Sequence, residues 1–320
     1  MVGTHIAQHT NRVQAAIASN EAARSALVAS WQRSLALHHL DPAASAPPQR
    51  LTSAELRHAR QRIEPLLYAA QASLDRLYQA VGGVGCCVLL ADRDGIPLER
   101  RGAAGDDETF DEWGLWTGTV WSERSEGTNG IGTCLVEQRA LTIHRDQHFF
   151  SRNTLMSCTT APIFDHQGRL AAALDVSSCR ADLTEGFASL IAVAVADAAR
   201  RIEAETFRLA FPSARIVVAP TADKAGGGLL ALDADDMVVG ATRVARQALG
   251  LSDEVLLGTL PASELLGGQR AEDLTDAERG VLQRALARAG GNVSAAAKLL
   301  GISRATMHRK LNKTGLERPH

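Results

Sequence analysis

The strongest constraint on the fold lies in the last 46 residues, where three short segments of helical periodicity are punctuated by glycine. Thr275 and Glu278 have capping-box spacing ahead of Ala277, Val281, Leu282, Ala285 and Leu286, which recur on one helical face. Gly290-Gly291 ends that helix, and Asn292 is a good cap for a second containing Ala295, Ala296, Ala297, Leu299 and Leu300. Gly301-Ile302-Ser303 makes a tight break, after which Ser303 caps a third helix predicted to run to about Lys313, with Gly315 closing it. Met307 and Leu311, four apart, face inward; Arg304, Thr306, His308, Arg309, Lys310 and Lys313 remain outside. Two short helices joined by a glycine-containing turn, the second exposed and basic, are what a helix-turn-helix needs. Its second helix enters the major groove, where arginine bonds bidentately to guanine.

Charge sharpens this reading. The formal net charge is only −2, but from Thr275 onward nine Lys/Arg oppose three Asp/Glu, giving +6, and the rest of the chain carries −8. A small basic module on an acidic body suggests a polyanion partner at one end. A solvated basic tail, or a purely structural three-helix bundle, is the plainer alternative. Pattern, turn and charge together favour a DNA reader.

The segment GNVSAAAKLLGISRATMHRKLNKTGL resembles the Fis-type helix-turn-helix over about Leu274 to Leu316. The resemblance implies base-edge work for Ser303, Arg304 and His308, and phosphate contacts for Asn292, Ser294, Thr306, Arg309 and Lys310. Lys313 adds to the same exposed basic face. His308 stands where the family often carries Tyr or Arg. Such modules bind as dimers on inverted repeats, so a homodimer on double-stranded DNA is the expectation.

The body reads as antiparallel strands framed by helices, an α+β sensor-type domain. A helix is predicted over 12–40 with Val13, Ile17, Leu27, Trp31 and Leu35 apolar, broken by Asp41-Pro42 and Ala46-Pro47-Pro48. A second runs from a Thr52/Ser53 cap with Glu55 nearby to about Ala80, tolerating or kinking at Pro65. Strands follow at Cys86–Ala91, Ile96–Arg100, Ala140–His144, Thr159–Phe164 and Leu170–Val176, with Asp94-Gly95 as a hairpin turn. A long helix spans about Leu183 to Phe211.

Between strands lies EWGLWTGTVWSERSEGTNGIGTC, holding Trp113, Trp116 and Trp121 within nine residues, then Gly127, Gly130 and Gly132. Indoles wall a pocket at low entropic cost, and glycines let backbone amides approach a ligand. The candidate ligand-binding residues are therefore Trp113, Trp116, Trp121, Gly127, Thr128, Asn129 and Gly130. A tryptophan-rich lid packed on its own core explains the same residues without a ligand.

TVWSERSEGTNGIGTCLVEQRALTIHRDQHFF and CTTAPIFDHQGRLAAALDVSS resemble the GAF domain of acetoin-catabolism-type regulators, and ASWQRSLALHHLDP resembles the amino-terminal signature of that family. The likeness runs from about Arg24 to Glu205 and implies a sensor that holds a small molecule between the sheet and the Trp113–Gly132 segment. Leu229–Gly250 looks like the opening of a PAS-type domain, with Val244, Ala245, Ala248 and Leu249 inward on its helix, but it is too short for a complete one. Ala225–Gly228 and Gly267-Gly268 are plausible linkers around it. The division expected is a helical region over 1–50, a GAF sensor over 51–205, a PAS-like connector over 206–270 and an all-α helix-turn-helix domain over 271–320.

Regulators of the acetoin type normally carry an AAA+ ATPase between sensor and reader that remodels sigma-54 polymerase. Here Gly250 to Asp273 leaves about two dozen residues, with no GxxxxGK[ST] and no GAFTGA loop. The expectation is a bacterial-type, one-component transcription regulator acting without ATP hydrolysis. The alternative is a signalling adaptor whose GAF domain binds a nucleotide or a partner protein, with DNA binding secondary.

Other chemistry is weaker. His144, His148 and Cys158 could be drawn together on a metal, but a satisfied or surface histidine is the default, and no metal or cofactor is expected. Cys86 and Cys87 on a strand point to opposite faces, so one buried sulfur is the plain reading. Asp92, Asp94, Asp106, Asp107, Glu108, Asp111 and Glu112 read as solvated acidic loops, and no GxSxG, HExxH or GxGxxG is present, so an enzyme is not expected. The five cysteines are odd in number and in no CxxC spacing, which fits a reducing cytoplasm. The first twenty residues lack a secretion signal, and no apolar run approaches the roughly 18 residues a membrane helix needs.

Overall fold

The computed structural model describes residues 2–19, 21–180, 184–220, 227–253, 260–266 and 274–315. The chain divides into two compact units, Met1–Ala262 and Ser263–His320.

The first unit opens with α1 (Val2–Ala18) and α2 (Ala26–Gln32), the latter running into a wider turn at Arg33–Leu37. The single helix predicted over 12–40 is thus interrupted. Ser25 caps α2 afresh, accepting the Val28 N–H at 3.3 Å, and the interruption lets Val13, Val28 and Trp31 pack together on Phe149 and Phe150. α3 (Ser53–Arg62) starts from the expected capping box of Thr52 and Glu55. α4 (Glu64–Val81) is a separate helix, because the chain breaks at Ile63 and Pro65 sits in the first turn of α4. There its missing N–H leaves no bond unmade.

Five antiparallel strands follow: β1 (Cys86–Asp92), β2 (Pro97–Arg101), β3 (Leu141–His144), β4 (Ser157–Phe164) and β5 (Leu170–Ser178), in the order β2-β1-β5-β4-β3. Gly95 turns the first hairpin at φ +80°, and a Cβ there would meet the Ser122 backbone nitrogen at 2.8 Å. One sheet face is covered by α4 and α8 (Glu185–Ala210), with Leu74, Val88, Leu90, Leu174 and Ile202 in the core. Thr184 caps α8; Leu183, the predicted start, lies outside the described residues. The other face is covered by α5 (Asp107–Glu112), α6 (Glu123–Glu126), α7 (Gly130–Glu137) and the loop between them, around Leu89, Phe110, Leu115, Trp121 and Met156. Because both faces are covered, all seven residues of β1 are buried. Cys86 and Cys87 do point to opposite faces, but both sulfurs are buried rather than one.

Beyond α8, β6 (Arg215–Val218), β7 (Leu229–Leu232) and β8 (Val238–Ala241) form a second antiparallel sheet in that order, followed by α9 (Arg243–Leu249). The carboxy-terminal turns of α8 anchor it through Phe207 and Phe211 against Leu229 and Ala231. β6 escaped prediction: four residues with both end side chains exposed carry too little alternation to register as a strand. On α9 Ala245 is buried but Ala248 is exposed, contrary to expectation, because a seven-residue helix reaches the sheet along one narrow stripe. Thr221–Gly226 and the Gly267-Gly268 linker lie outside the described residues.

After a single turn, α10 (Ala262–Leu265), the second unit is built from α11 (Leu274–Arg288), α12 (Val293–Leu299) and α13 (Arg304–Thr314). Leu282, Ala285, Leu286, Ala296, Ala297, Met307 and Leu311 are its core. Ala277 and Val281, expected on the inward face of α11, are exposed, Val281 to 42%. Two short partners cover only the stripe through Leu282, Ala285 and Leu286. No helix among the described residues is long and apolar enough to cross a membrane.

Candidate nucleic-acid interface and sensor site

In the second unit, local capping fixes the geometry. Asn292 Oδ1 accepts the N–H groups of Ser294 (3.0 Å) and Ala295 (3.1 Å), starting α12. Gly301 takes φ +65° in the turn, and Ser303 Oγ accepts the Thr306 N–H at 3.1 Å, starting α13. Met307 and Leu311 are pinned in the core, so the opposite side of α13 is forced outward. Ser294, Ser303, Arg304, Arg309 and Lys313 are exposed, and Thr306 and His308 are half-buried. Arg304 and His308, four apart, share one stripe of α13, and Arg309 and Lys313 share the next. The positive end of the helix dipole lies beside Arg304, which favours an anion there. Three of the residues expected at DNA also have bonds within the unit. The Asn292 and Ser303 side-chain oxygens serve as caps. Lys310 turns back to an ion pair with Glu278 of α11, which holds that carboxyl below its usual range.

In the first unit, the three tryptophans take different places. Trp121 is buried in the core and donates its indole N–H to the Gly114 carbonyl at 2.8 Å. Trp113 packs half-buried on the same cluster, and Trp116 lies half-buried under the Arg100 guanidinium, 4.1 Å from its ring. Gly127, Thr128, Asn129 and Gly130 are fully buried. The glycines are required by close approach: a Cβ on Gly127 would lie 2.7 Å from Phe149 Cβ, and one on Gly130 2.6 Å from Cys158 Cβ. Asn129 Oδ1 caps α7 by accepting the Gly132 N–H, while its amide donates to the Gly127 carbonyl, both at 2.8 Å. A cavity of about 700 Å³ runs between α4 and α8, with Tyr68, Gln71, Arg200 and Arg208 in its lining. Another of about 410 Å³ includes Ile6, Ala44, Arg152 and Leu155. Neither is lined by the seven candidate ligand residues.

Two buried polar networks were missed from the sequence. In the first, Arg33 donates to Glu123 through Nε (2.6 Å) and Nη2 (3.0 Å) and reaches Glu137 at 2.8 Å. Ser30 donates to Glu123 Oε2 at 2.8 Å and lies 2.7 Å from Thr128 Oγ1. These bonds tie α2 to α6 and α7 over the glycine-rich segment. In the second, Thr160 and Ser177 donate to the two oxygens of Asp175 at 2.5 and 2.6 Å. Ser177 Oγ lies 3.0 Å from Cys158 Sγ, which is 3.4 Å from His148 Nε2. Burial pushes the Asp175 carboxyl up to about 6, lowers His148 to about 4 and raises the Cys158 thiol. His148 and Cys158 are therefore brought together, but His144 bonds Ser157 Oγ instead, and no group of three metal-ligating side chains occurs among the described residues. The signal available in the sequence was the set of small hydroxyl residues inside apolar strands, Thr159-Thr160 and Ser177-Ser178. One of the seven acids is less solvated than expected: Asp92 is buried, accepting the N–H groups of Asp94 and Ile96 and pairing with Arg62 at 2.9 Å.

Residues 273–313 match the bacterial regulatory protein, Fis family, and residues 65–202 match the GAF domain. The acetoin catabolism regulatory protein of Cupriavidus necator is 35% identical over 252 residues, covering 78% of this chain and 37% of that protein. The acetoin dehydrogenase operon transcriptional activator AcoR of Bacillus subtilis is 29% identical over 178 residues, 56% of this chain and 29% of its own length. The propane 2-monooxygenase operon transcriptional activator MimR of Mycolicibacterium smegmatis is 29% identical over 244 residues, 74% and 39%. The chain thus spans less than two fifths of the length of these relatives. Among solved structures, the Escherichia coli DhaR(N)–DhaL complex aligns with a TM-score of 0.50 at 18% identity, covering 73% of this chain and 79% of that one, a likeness of fold.

Proposed function

We propose, from the premise that this chain carries a GAF domain and a Fis-type helix-turn-helix, that it is a signal-responsive DNA-binding transcription regulator rather than an enzyme. The observation that carries this reading is α13: two buried anchors, Met307 and Leu311, leave Arg304, Arg309 and Lys313 on the exposed side of a capped helix. Arg304 reads base edges, with Ser303 and His308 beside it; Arg309 and Lys313 meet phosphates, as Asn292, Ser294 and Thr306 do at the helix starts. One recognition helix per chain calls for two copies on an inverted repeat.

In this reading the sensor occupies 51–205, preceded by the helical region 1–50, and the PAS-like connector 206–270 leads to the reader over 271–320. The segment from Gly250 to Asp273 holds no phosphate-binding loop, so the chain works by occupying DNA, without ATP hydrolysis or remodelling of sigma-54 polymerase, inside the cytoplasm where that DNA is. A small-molecule signal acts on the Trp113–Gly130 segment. Its glycines rest directly on Phe149 and Cys158, so moving it shifts two packed strands-and-loops at once and biases one arrangement of the sensor over another. A second reading, an adaptor whose sensor half docks a protein, is favoured by one observation: the DhaR fragment of like fold was solved bound to DhaL.

Genome-wide occupancy of the tagged chain tests the first reading. Discrete peaks over inverted repeats are expected, lost in an Arg304→Ala/Arg309→Ala variant, with Arg304→Ala alone removing about 1–3 kcal/mol of base discrimination in gel shifts. Diffuse occupancy, or peaks that survive the double substitution, would overturn it.

A further inference from the structure

The reader's cations are not equivalent. Arg304, Arg309 and Lys313 are exposed on α13, whereas Lys310 is half-buried and ion-paired with Glu278. Lys310 lies between the core residues Met307 and Leu311 in sequence, and its partner is on α11, the helix that contributes Leu282 and Leu286 to the same core. The pair therefore ties the middle of α13 to the scaffold. Its side chains are 36% and 24% accessible, so solvent reaches it but the ammonium is held on the scaffold side.

Phosphate contacts add affinity without sequence information, whereas base contacts supply the discrimination. A lysine free to reach the backbone gains most on a non-specific duplex, where no base contact already fixes the position of the helix, and so lowers the ratio of specific to non-specific binding. We propose that Glu278 is a specificity-determining positioning residue: it keeps Lys310 off the DNA backbone, so that the reader's phosphate charge comes from Arg309 and Lys313. This rests on the DNA-binding reading above. It departs from the phosphate role that family resemblance implies for Lys310.

The readout is the salt dependence of binding, which a merely structural role would not move in the required direction. Each phosphate neutralised contributes about 0.9 to the slope of log affinity against log salt. Full-length protein is titrated by fluorescence anisotropy against a duplex from its strongest occupancy peak and against a scrambled duplex of the same composition. Lys310→Ala is expected to leave the wild-type slope unchanged, while Arg309→Ala lowers it by about 0.9 per bound chain. Glu278→Gln is expected to steepen the slope by about the same amount and to tighten binding to the scrambled duplex several-fold, more than to the specific one. Adding Lys310→Ala to Glu278→Gln returns the slope to wild type, separating a released lysine from the simple loss of an acid. If Lys310→Ala lowers the slope as Arg309→Ala does, the inference is overturned while DNA binding stands. If the wild type holds neither duplex, the DNA-binding reading itself fails. Helicity by circular dichroism is checked for each variant; should Glu278→Gln unfold, the comparison of Lys310→Ala with Arg309→Ala still decides.

Discussion

The two units use polar side chains in opposite places. In the carboxy-terminal unit an apolar core of seven buried residues holds three helices, and the polar groups with a proposed task stand outside it. In the first unit the most tightly connected polar groups are inside: Glu123, Thr128, Thr160, Asp175 and Ser177 are all buried and bonded to one another or to α2. An exposed cation is exchanged cheaply, since water satisfies it and its neighbours. A buried carboxylate is not, because removing one partner strands the others in a medium that cannot hydrogen-bond them. The reader should therefore lose function without losing stability on substitution, and the sensor should do the reverse.

Glu123→Ala is the harshest trial of that contrast. It takes the carboxylate from the partly buried Arg33, which keeps Glu137, and from the buried Ser30, which keeps Thr128, and should cost about 2 kcal/mol, seen by calorimetry as a lower unfolding midpoint. A midpoint equal to wild type would mean that the buried network carries no stability, and the contrast would collapse.

A smaller effect, confined to a pH window, comes from Glu203 on α8, which accepts the Phe164 N–H at 2.8 Å. Burial raises its carboxyl from 4.5 to about 7. The folded chain thus holds this proton more tightly than the unfolded chain does. The resulting stability is full below about 4.5 and is lost as pH climbs through 7. Asp175, raised to about 6, acts in the same sense, and His148, lowered to about 4, in the opposite one. Glu203→Gln keeps an acceptor for Phe164 and should flatten the fall in thermal midpoint between pH 4.5 and 7. An unaltered pH profile would remove Glu203 from the account.

The mildest substitution sharpens the comparison from the other side. Gly280 lies inside α11, where an added Cβ meets only the mobile end of Arg284 at 3.3 Å. Gly280→Ala should stabilise the carboxy-terminal unit by about 0.8 kcal/mol and leave DNA affinity unchanged. At Gly132 in the sensor the same change puts a Cβ 2.3 Å from the Glu123 backbone nitrogen. A loss of stability in Gly280→Ala would show that the reader is packed more like the sensor than its core suggests.

Legibility follows the same division. Strands β1, β2, β4 and β5 were placed to within about two residues because apolar runs met turns such as Asp94-Gly95 and Asp165–Gly168. The break between α1 and α2 was not foreseen, since what ends α1 is the docking of both helices on Phe149 and Phe150, more than a hundred positions away. The capping residues Thr52, Asn292 and Ser303 were read correctly because a cap bonds only its own next turn, whereas Thr275, expected to cap α11, lies inside that helix and Glu278 pairs with Lys310. The tryptophan-rich segment was located but not its packing: Trp121 is core, Trp116 lies under Arg100, and the glycines are spacers between layers.

What the sequence determined by itself was local: the caps Thr52, Asn292 and Ser303, turns, the alternation that makes strands, and the basic helix with its inward pair Met307 and Leu311. These depend on interactions within a few residues, whose partners are fixed by chain connectivity. What only the tertiary structure decided was which polar side chains are buried and whom they meet. Arg33 with Glu123, Thr160 with Asp175 and Lys310 with Glu278 are joined across 90, 15 and 32 positions. An arginine destined for a buried carboxylate and one destined for solvent are the same letter, and only the packing that removes water from around one of them makes the difference.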